Sequence, residues 1–231
     1  MNMEVDGAAL VAHELKAPWA LVRQLAFALP EMEADGEHLK SEMVQVSERA
    51  LRQINDYLKV QRLEDGLFEM EPVAVRAVCN DVTEELTRLF AAKKRGLTVK
   101  YLNRAKLVNA NPELLFSVVY NFLVNAVRYS GEGTETELTV KDHAGKVKVI
   151  VRDYGPALPV TIWRELRQGG VKQPMKVAMR PGSSGMGLYI ASRFAQYMRA
   201  DVGAVRHRDG ASFYVEIPAS RQASLFYDIC D

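Results

Sequence analysis

The chain of 231 residues contains only two cysteines, Cys79 and Cys230. Two thiols so far apart make neither a disulfide framework nor a zinc cluster, so reduced thiols are the expectation. Long apolar runs are missing too. Nothing approaches the ~20 residues needed to span a bilayer, and the acidic start Met1-Asn2-Met3-Glu4-Val5-Asp6 lacks the basic region of a signal peptide. A cytoplasmic location is therefore expected, with no membrane segment. A surplus of charge of one sign is also lacking, with 30 basic residues against 29 acidic ones. No global field argues for nucleic acid or anionic lipid, and any phosphate binding has to be local. No internal repeat or low-complexity tract is present. What remains, 48% hydrophobic and 26% charged residues, describes an ordinary core and surface for one or two domains.

Near the N-terminus, Val11, Leu15, Pro18, Val22, Leu25 and Leu29 step alternately by four and three, which is a heptad seam. At about 100° per residue, His13 lies roughly 200° from Val11, so its imidazole points away from the seam into solvent. A histidine beside an acid, here Glu14, can serve as base and as acceptor. Pro18 removes a backbone bond and kinks the helix, making a hinge. Residues 30–36 form the turn, and a second helix is expected from about Glu37 to Leu63, with Leu39, Met43, Val46, Ala50, Ile54 and Tyr57 repeating the seam. Two antiparallel helices leave too much apolar stripe exposed, so pairing with a second copy into a four-helix bundle is expected, giving a homodimer.

Glu64-Asp65-Gly66 breaks the helical pattern and marks a boundary. The expected domains are 1–65, a helical hairpin; 66–220, an α/β two-layer sandwich; and 221–231, a tail. Within the second domain the pattern predicts a strand near 67–73 and a helix over about 76–94. A strand over 97–102 follows, then a helix over 112–129 opened by Asn111 as cap and Pro112 at its first position. Strands over 137–141 and 146–152 form a hairpin. A flexible stretch around 168–184, a helix over about 186–198 and a last hairpin, 202–207 with 212–217, complete an α+β fold.

Three groups in this domain carry polar chemistry. Asn121 and Asn125 sit one turn apart, with Arg128 and Tyr129 a turn further on. Amide oxygens are hard ligands suited to Mg²⁺. Asp153-Tyr154-Gly155-Pro156-Ala157 ends a strand, and Gly182-Ser183-Ser184-Gly185-Met186-Gly187 opens a helix, where free amides and a positive dipole attract phosphates.

Read in order with His13-Glu14-Leu15-Lys16-Ala17-Pro18, these boxes resemble the sensor histidine kinases of bacterial two-component systems over about residues 5–220. The pattern Asn-x-x-x-Asn-Ala-x-x-Tyr-Ser resembles the asparagine box of the histidine-kinase, gyrase and mismatch-repair ATPases. The resemblance implies that Asn125, with Asn121, holds Mg²⁺, that Arg128 reaches a phosphate of ATP and that Tyr129 lies near the base. It implies that Asp153 accepts from the adenine amino group beside Gly155, and that Gly182, Gly185 and Gly187 cradle the triphosphate. Arg180 is a candidate phosphate contact from the lid. The implied reaction is transfer of the γ-phosphoryl group of ATP to His13 with Glu14 as base, then to an aspartate on a response regulator receiver domain.

Some positions depart from the family pattern. Ala157 stands where a second glycine is usual, and residues 163–179 show no phenylalanine-centred box, with Trp163 as a substitute lid anchor. Ala17 stands where many relatives have a threonine or asparagine that orients water, so weak phosphatase activity towards the regulator is expected. Twelve residues precede His13, which suggests either an excised core or a separate sensor protein as partner. His38, His143 and His207 read as structural or solvated. The alternative function is a non-catalytic dimeric scaffold or phosphotransfer protein with a degenerate nucleotide domain.

Overall fold

The structure, a computed structural model, describes residues 19–20, 22–24, 26, 36–102, 106–173 and 186–220. The chain divides into two compact units, residues 1–61 and 62–231. In the first, residues 19, 20, 22–24 and 26 are helical, and α1 spans Gly36–Gln61. Of the expected seam, Val46 and Ala50 are buried, while Met43, Ile54 and Tyr57 are half-buried. A second apolar row on α1 was not anticipated: Val44, Leu51 and Leu58, seven residues apart, are 55%, 58% and 53% exposed.

The second unit begins with a short 3₁₀ turn, Leu63–Asp65, closed by Gly66 in the left-handed region (φ 69°). Strand β1 (Glu71–Val73) pairs antiparallel with β3 (Val108–Ala110). Between them come α2 (Val75–Ala92) and β2 (Gly96–Leu102). Then follow α3 (Pro112–Tyr129), β4 (Glu135–His143), β5 (Lys146–Asp153), α4 (Val160–Arg167), α5 (Met186–Tyr197), β6 (Asp201–His207) and β7 (Gly210–Pro218). The main sheet has the order β2-β4-β5-β7-β6, with β2 parallel to β4 and the other pairs antiparallel. The α+β expectation for this unit holds.

Local chemistry explains the element limits. Helix α3 starts where the Asn111 side chain accepts the Leu114 N–H at 3.1 Å, with Pro112 in the first turn, where no backbone donor is needed. Ala144 and Gly145 both take positive φ (46° and 77°), the two-residue turn that joins β4 to β5 without splaying the strands. Helices α2, α3 and α5 cover one face of the sheet, while α4 packs beside β6. Phe122 of α3 stacks on Phe213 of β7 with centroids 5.8 Å apart, and Leu114, Leu115, Leu123, Leu138, Phe194 and Ile190 are fully buried around them. Each such side chain contributes roughly 1.5–3 kcal/mol of apolar burial. Strand β3 and helix α4 were not expected from sequence.

Candidate functional site

Strand β5 alternates half-buried and buried side chains, with Val147, Val149 and Val151 fully buried, and the inward series ends at Asp153. A carboxylate at 0% exposure needs hydrogen bonds to be tolerated. One comes from β7: the Ala211 N–H donates to Asp153 Oδ1 at 2.9 Å. Gly210 (φ 137°) sits so close that a Cβ there would lie 2.6 Å from the same oxygen. Strand β4 flanks the other side, and continuing its register with β5 one step beyond the last pair, Glu137–Arg152, brings Thr136 across from Asp153. Thr136 is fully buried, and among the described residues its hydroxyl has no hydrogen-bond partner.

The turn after Asp153 is stitched to the end of α3. Tyr154 N–H donates to Ser130 Oγ at 3.2 Å, and Gly131 N–H donates to Tyr154 O at 3.0 Å. Gly155 lies so tightly on the Tyr129 carbonyl that a Cβ would collide with it. The sequence reading assigned Gly155 to ligand approach; its visible work is to let the turn approach the helix.

Along α3, Asn121 and Asn125 fall on one face as expected. Asn121 is nearly buried, and its amide nitrogen donates to Ser117 O at 2.8 Å. Its Oδ1 lies against Gly187 of α5, where a Cβ would approach within 2.7 Å. Gly187 thus seats the start of α5 on α3. Asn125 and Tyr129 are half-buried and Arg128 is exposed. This face therefore passes from a packed amide at Asn121 to groups reachable from solvent a turn later. The Asn125 amide oxygen and the Arg128 guanidinium are chemically suited to a magnesium–phosphate pair. Among the described residues, no cluster of three His, Cys, Asp or Glu side chains could hold a metal on its own.

His13, Glu14, Ala17, Arg180, Gly182 and Gly185 lie outside the described residues, as does Cys230. Trp163 is half-buried, with the Arg167 guanidinium 5.0 Å from its ring centroid. His207, at the end of β6, shares a hydrogen bond with Ser212 Oγ at 2.9 Å, and burial lowers its pKa, helped by the Arg152 charge. Burial pushes the Cys79 thiol up to about 12, which keeps it protonated and inert at neutral pH. The sequence reading missed Thr136, Ser130, Gly210 and Ala211. Thr136 had a legible signal: in Glu135-Thr136-Glu137-Leu138-Thr139-Val140 it shares the period-two face of Leu138 and Val140.

Comparison with known proteins adds independent support. Residues 110–221 match the family of histidine kinase-, DNA gyrase B- and HSP90-like ATPases. The chain is 26% identical over 222 residues to the alginate biosynthesis sensor protein KinB of Pseudomonas aeruginosa, covering 90% of this chain and 36% of KinB. The full-length ShkA crystal structure, in complex with AMPPNP, superposes with a TM-score of 0.62 at 25% identity, over 95% of this chain and 47% of ShkA. Histidine kinase ThkA in complex with the response regulator TrrA gives 0.61 at 19% identity, over 92% of this chain and 61% of that one. The chain spans 36% to 58% of the length of four curated relatives.

Proposed function

We propose that this chain, similar in sequence to sensor histidine kinases, is an ATP-dependent protein-histidine kinase core that phosphorylates its own His13 and passes the phosphoryl group to a receiver-domain aspartate. The observation that carries the reading is the buried Asp153, held by the Ala211 amide at one end of an otherwise apolar inner face. A carboxylate so placed is an acceptor suited to the exocyclic amino group of adenine. Tyr129 and the turn through Gly155 wall the same end.

The remaining assignments extend this site along α3. Asn125 offers an amide oxygen to Mg²⁺, and Arg128 balances charge on the phosphates, with Asn121 positioned behind them by Ser117 and Gly187. When bound, Mg²⁺ supplies neutralisation of the triphosphate charge. Gly182, Gly185, Gly187 and Arg180 are assigned to the phosphates from the family pattern alone. At the acceptor, neutral His13 attacks the γ-phosphorus in line as the bond to the β–γ bridging oxygen breaks, and ADP leaves. Glu14 takes the proton from the other ring nitrogen. Positioning supplies most of the acceleration.

A homodimer through the helical hairpin is part of the proposal. The exposed row Val44, Leu51 and Leu58 supports it, since a heptad-spaced apolar row is what a second helix pair covers. A receiver domain is the proposed partner, and a cytoplasmic site of action is proposed; among the described residues no helix is long and apolar enough to cross a membrane.

The test is incubation with γ-labelled ATP and Mg²⁺. Acid-labile, base-stable label that disappears in His13→Gln is the expected result. ATP binding without label indicates a dimeric scaffold instead, and acid-stable label indicates a hydroxyl acceptor.

A further inference from the structure

A buried hydroxyl without a partner is rare, because its desolvation is not offset. Thr136 is such a group: fully buried, unpartnered among the described residues, and on the strand flanking Asp153. Residues opposite one another on one face of an antiparallel pair hold their Cβ atoms about 4.5–5.5 Å apart. The two side chains therefore share one face of the sheet on neighbouring strands. On the other flank the side chain is Ala211, which offers no polar atom beyond its backbone N–H, already used by Asp153 Oδ1. Thr136 is thus the one side-chain hydroxyl that the sheet register sets directly against Asp153, and its neighbours on that face, Leu138 and Val140, are apolar.

We infer that Thr136 is a base-reading residue, whose hydroxyl donates to the N1 edge of the adenine while Asp153 accepts from its amino group. The inference rests on the adenine reading of Asp153. Its chemistry is specific, since adenine presents a donor at the amino group and an acceptor at N1, side by side. The Asp153 carboxylate supplies the acceptor and Thr136 supplies the donor. Carbonyl-bearing purines reverse both groups. The unpartnered state of the hydroxyl then has a use: the partner is the nucleotide.

The experiment measures affinity for ATP and for 1-deaza-ATP, in which a C–H replaces N1, with the full chain and three variants. Thr136→Val keeps the shape and removes the hydroxyl. It is expected to weaken ATP binding about five- to tenfold, the size of one neutral hydrogen bond, and to leave 1-deaza-ATP binding unchanged. Thr136→Ser is expected to retain the wild-type preference for ATP. Without nucleotide, the thermal midpoint of Thr136→Val is expected to stay level or rise, because an unsatisfied hydroxyl has been replaced by a methyl group. Unchanged ATP affinity in Thr136→Val, or equal weakening of both nucleotides, overturns the inference. Asp153→Asn separates the two readings: it is expected to weaken both nucleotides, because both carry the amino group. Failure to do so defeats the adenine reading itself, whatever Thr136 does. Should Thr136→Val not fold, Thr136→Ala is put to the same two-nucleotide comparison.

Discussion

On the inner face of the sheet, Leu138, Val140, Val147, Val149, Val151, Val215 and Ile217 are buried without interruption until Thr136 and Asp153 close one end. The outer face of the same strands carries most of their charged side chains. There Lys148 lies between Glu216, at 2.7 Å, and the Tyr214 ring, 3.7 Å from its centroid. Arg152 stacks on Tyr154, 4.2 Å away, and Glu137 accepts from both Lys100 and Tyr154. Polar groups are plentiful on the outer face and pair with one another. On the inner face they are few and costly to bury, and they stand at its ends: Thr136 and Asp153 at one, Asp142 opposite Val147 at the other. Polarity by itself therefore does not point to a site; polarity where the fold is otherwise dry does.

The largest expected effect on stability belongs to the inner face. Phe213→Ala removes the ring stacked on Phe122 and is expected to cost about 3–5 kcal/mol in urea unfolding. Next, Asp153→Asn is expected to weaken ATP binding about 10- to 100-fold in a calorimetric titration, since a charged acceptor is replaced by an amide whose donor end opposes the adenine amino group. Gly155→Ala places a methyl group on the Tyr129 carbonyl and is expected to cost roughly 1–3 kcal/mol. It tests whether the turn and α3 are locked together.

Effects on the outer face are expected to be smaller. Lys148→Met breaks a half-buried ion pair and a cation–ring contact, for about 1 kcal/mol. Nucleotide affinity should be untouched. The smallest effect concerns pH. The Lys100 hydrogen bond holds the Glu137 carboxyl below its ordinary value of 4.5, with a smaller contribution from Tyr154. A group depressed in the folded state contributes stability above its unfolded pKa, and that stability is lost as pH falls through the folded one. Glu137→Gln is therefore expected to flatten the acid limb of the stability profile slightly below about pH 4.5, read by thermal melts at stepped pH. Solvent screening at this partly exposed pair keeps the change small.

Much of this was legible in the residues. The start of helix α3 was legible because Asn111 and Pro112 mark it. The β4–β5 hairpin was read from Asp142-His143-Ala144-Gly145, of which Asp142 and His143 belong to β4 and only Ala144 and Gly145 make the turn. Strand β3 was not, since three residues carry too little period-two pattern to register. Helix α4 was missed because Trp163 was read only as a lid anchor ahead of a flexible stretch, although Ile162 and Leu166 repeat at helical spacing. Site glycines were recognised for a different reason from the one the packing gives: Gly155 and Gly187 each let a backbone approach α3. The inward face of Thr136 was legible in the local period-two pattern, but its register with Asp153 is a long-range pairing that no local motif encodes.

The contrast between the faces reduces to one measurement, amide chemical-shift mapping during a titration with AMPPNP and Mg²⁺. The account predicts shifts gathered at Asn125 to Gly131, Thr136, Asp153 to Gly155 and Gly187, with none at Lys148, Tyr214 or Glu216. Shifts centred on the outer-face residues, with Thr136 and Asp153 unmoved, would contradict it.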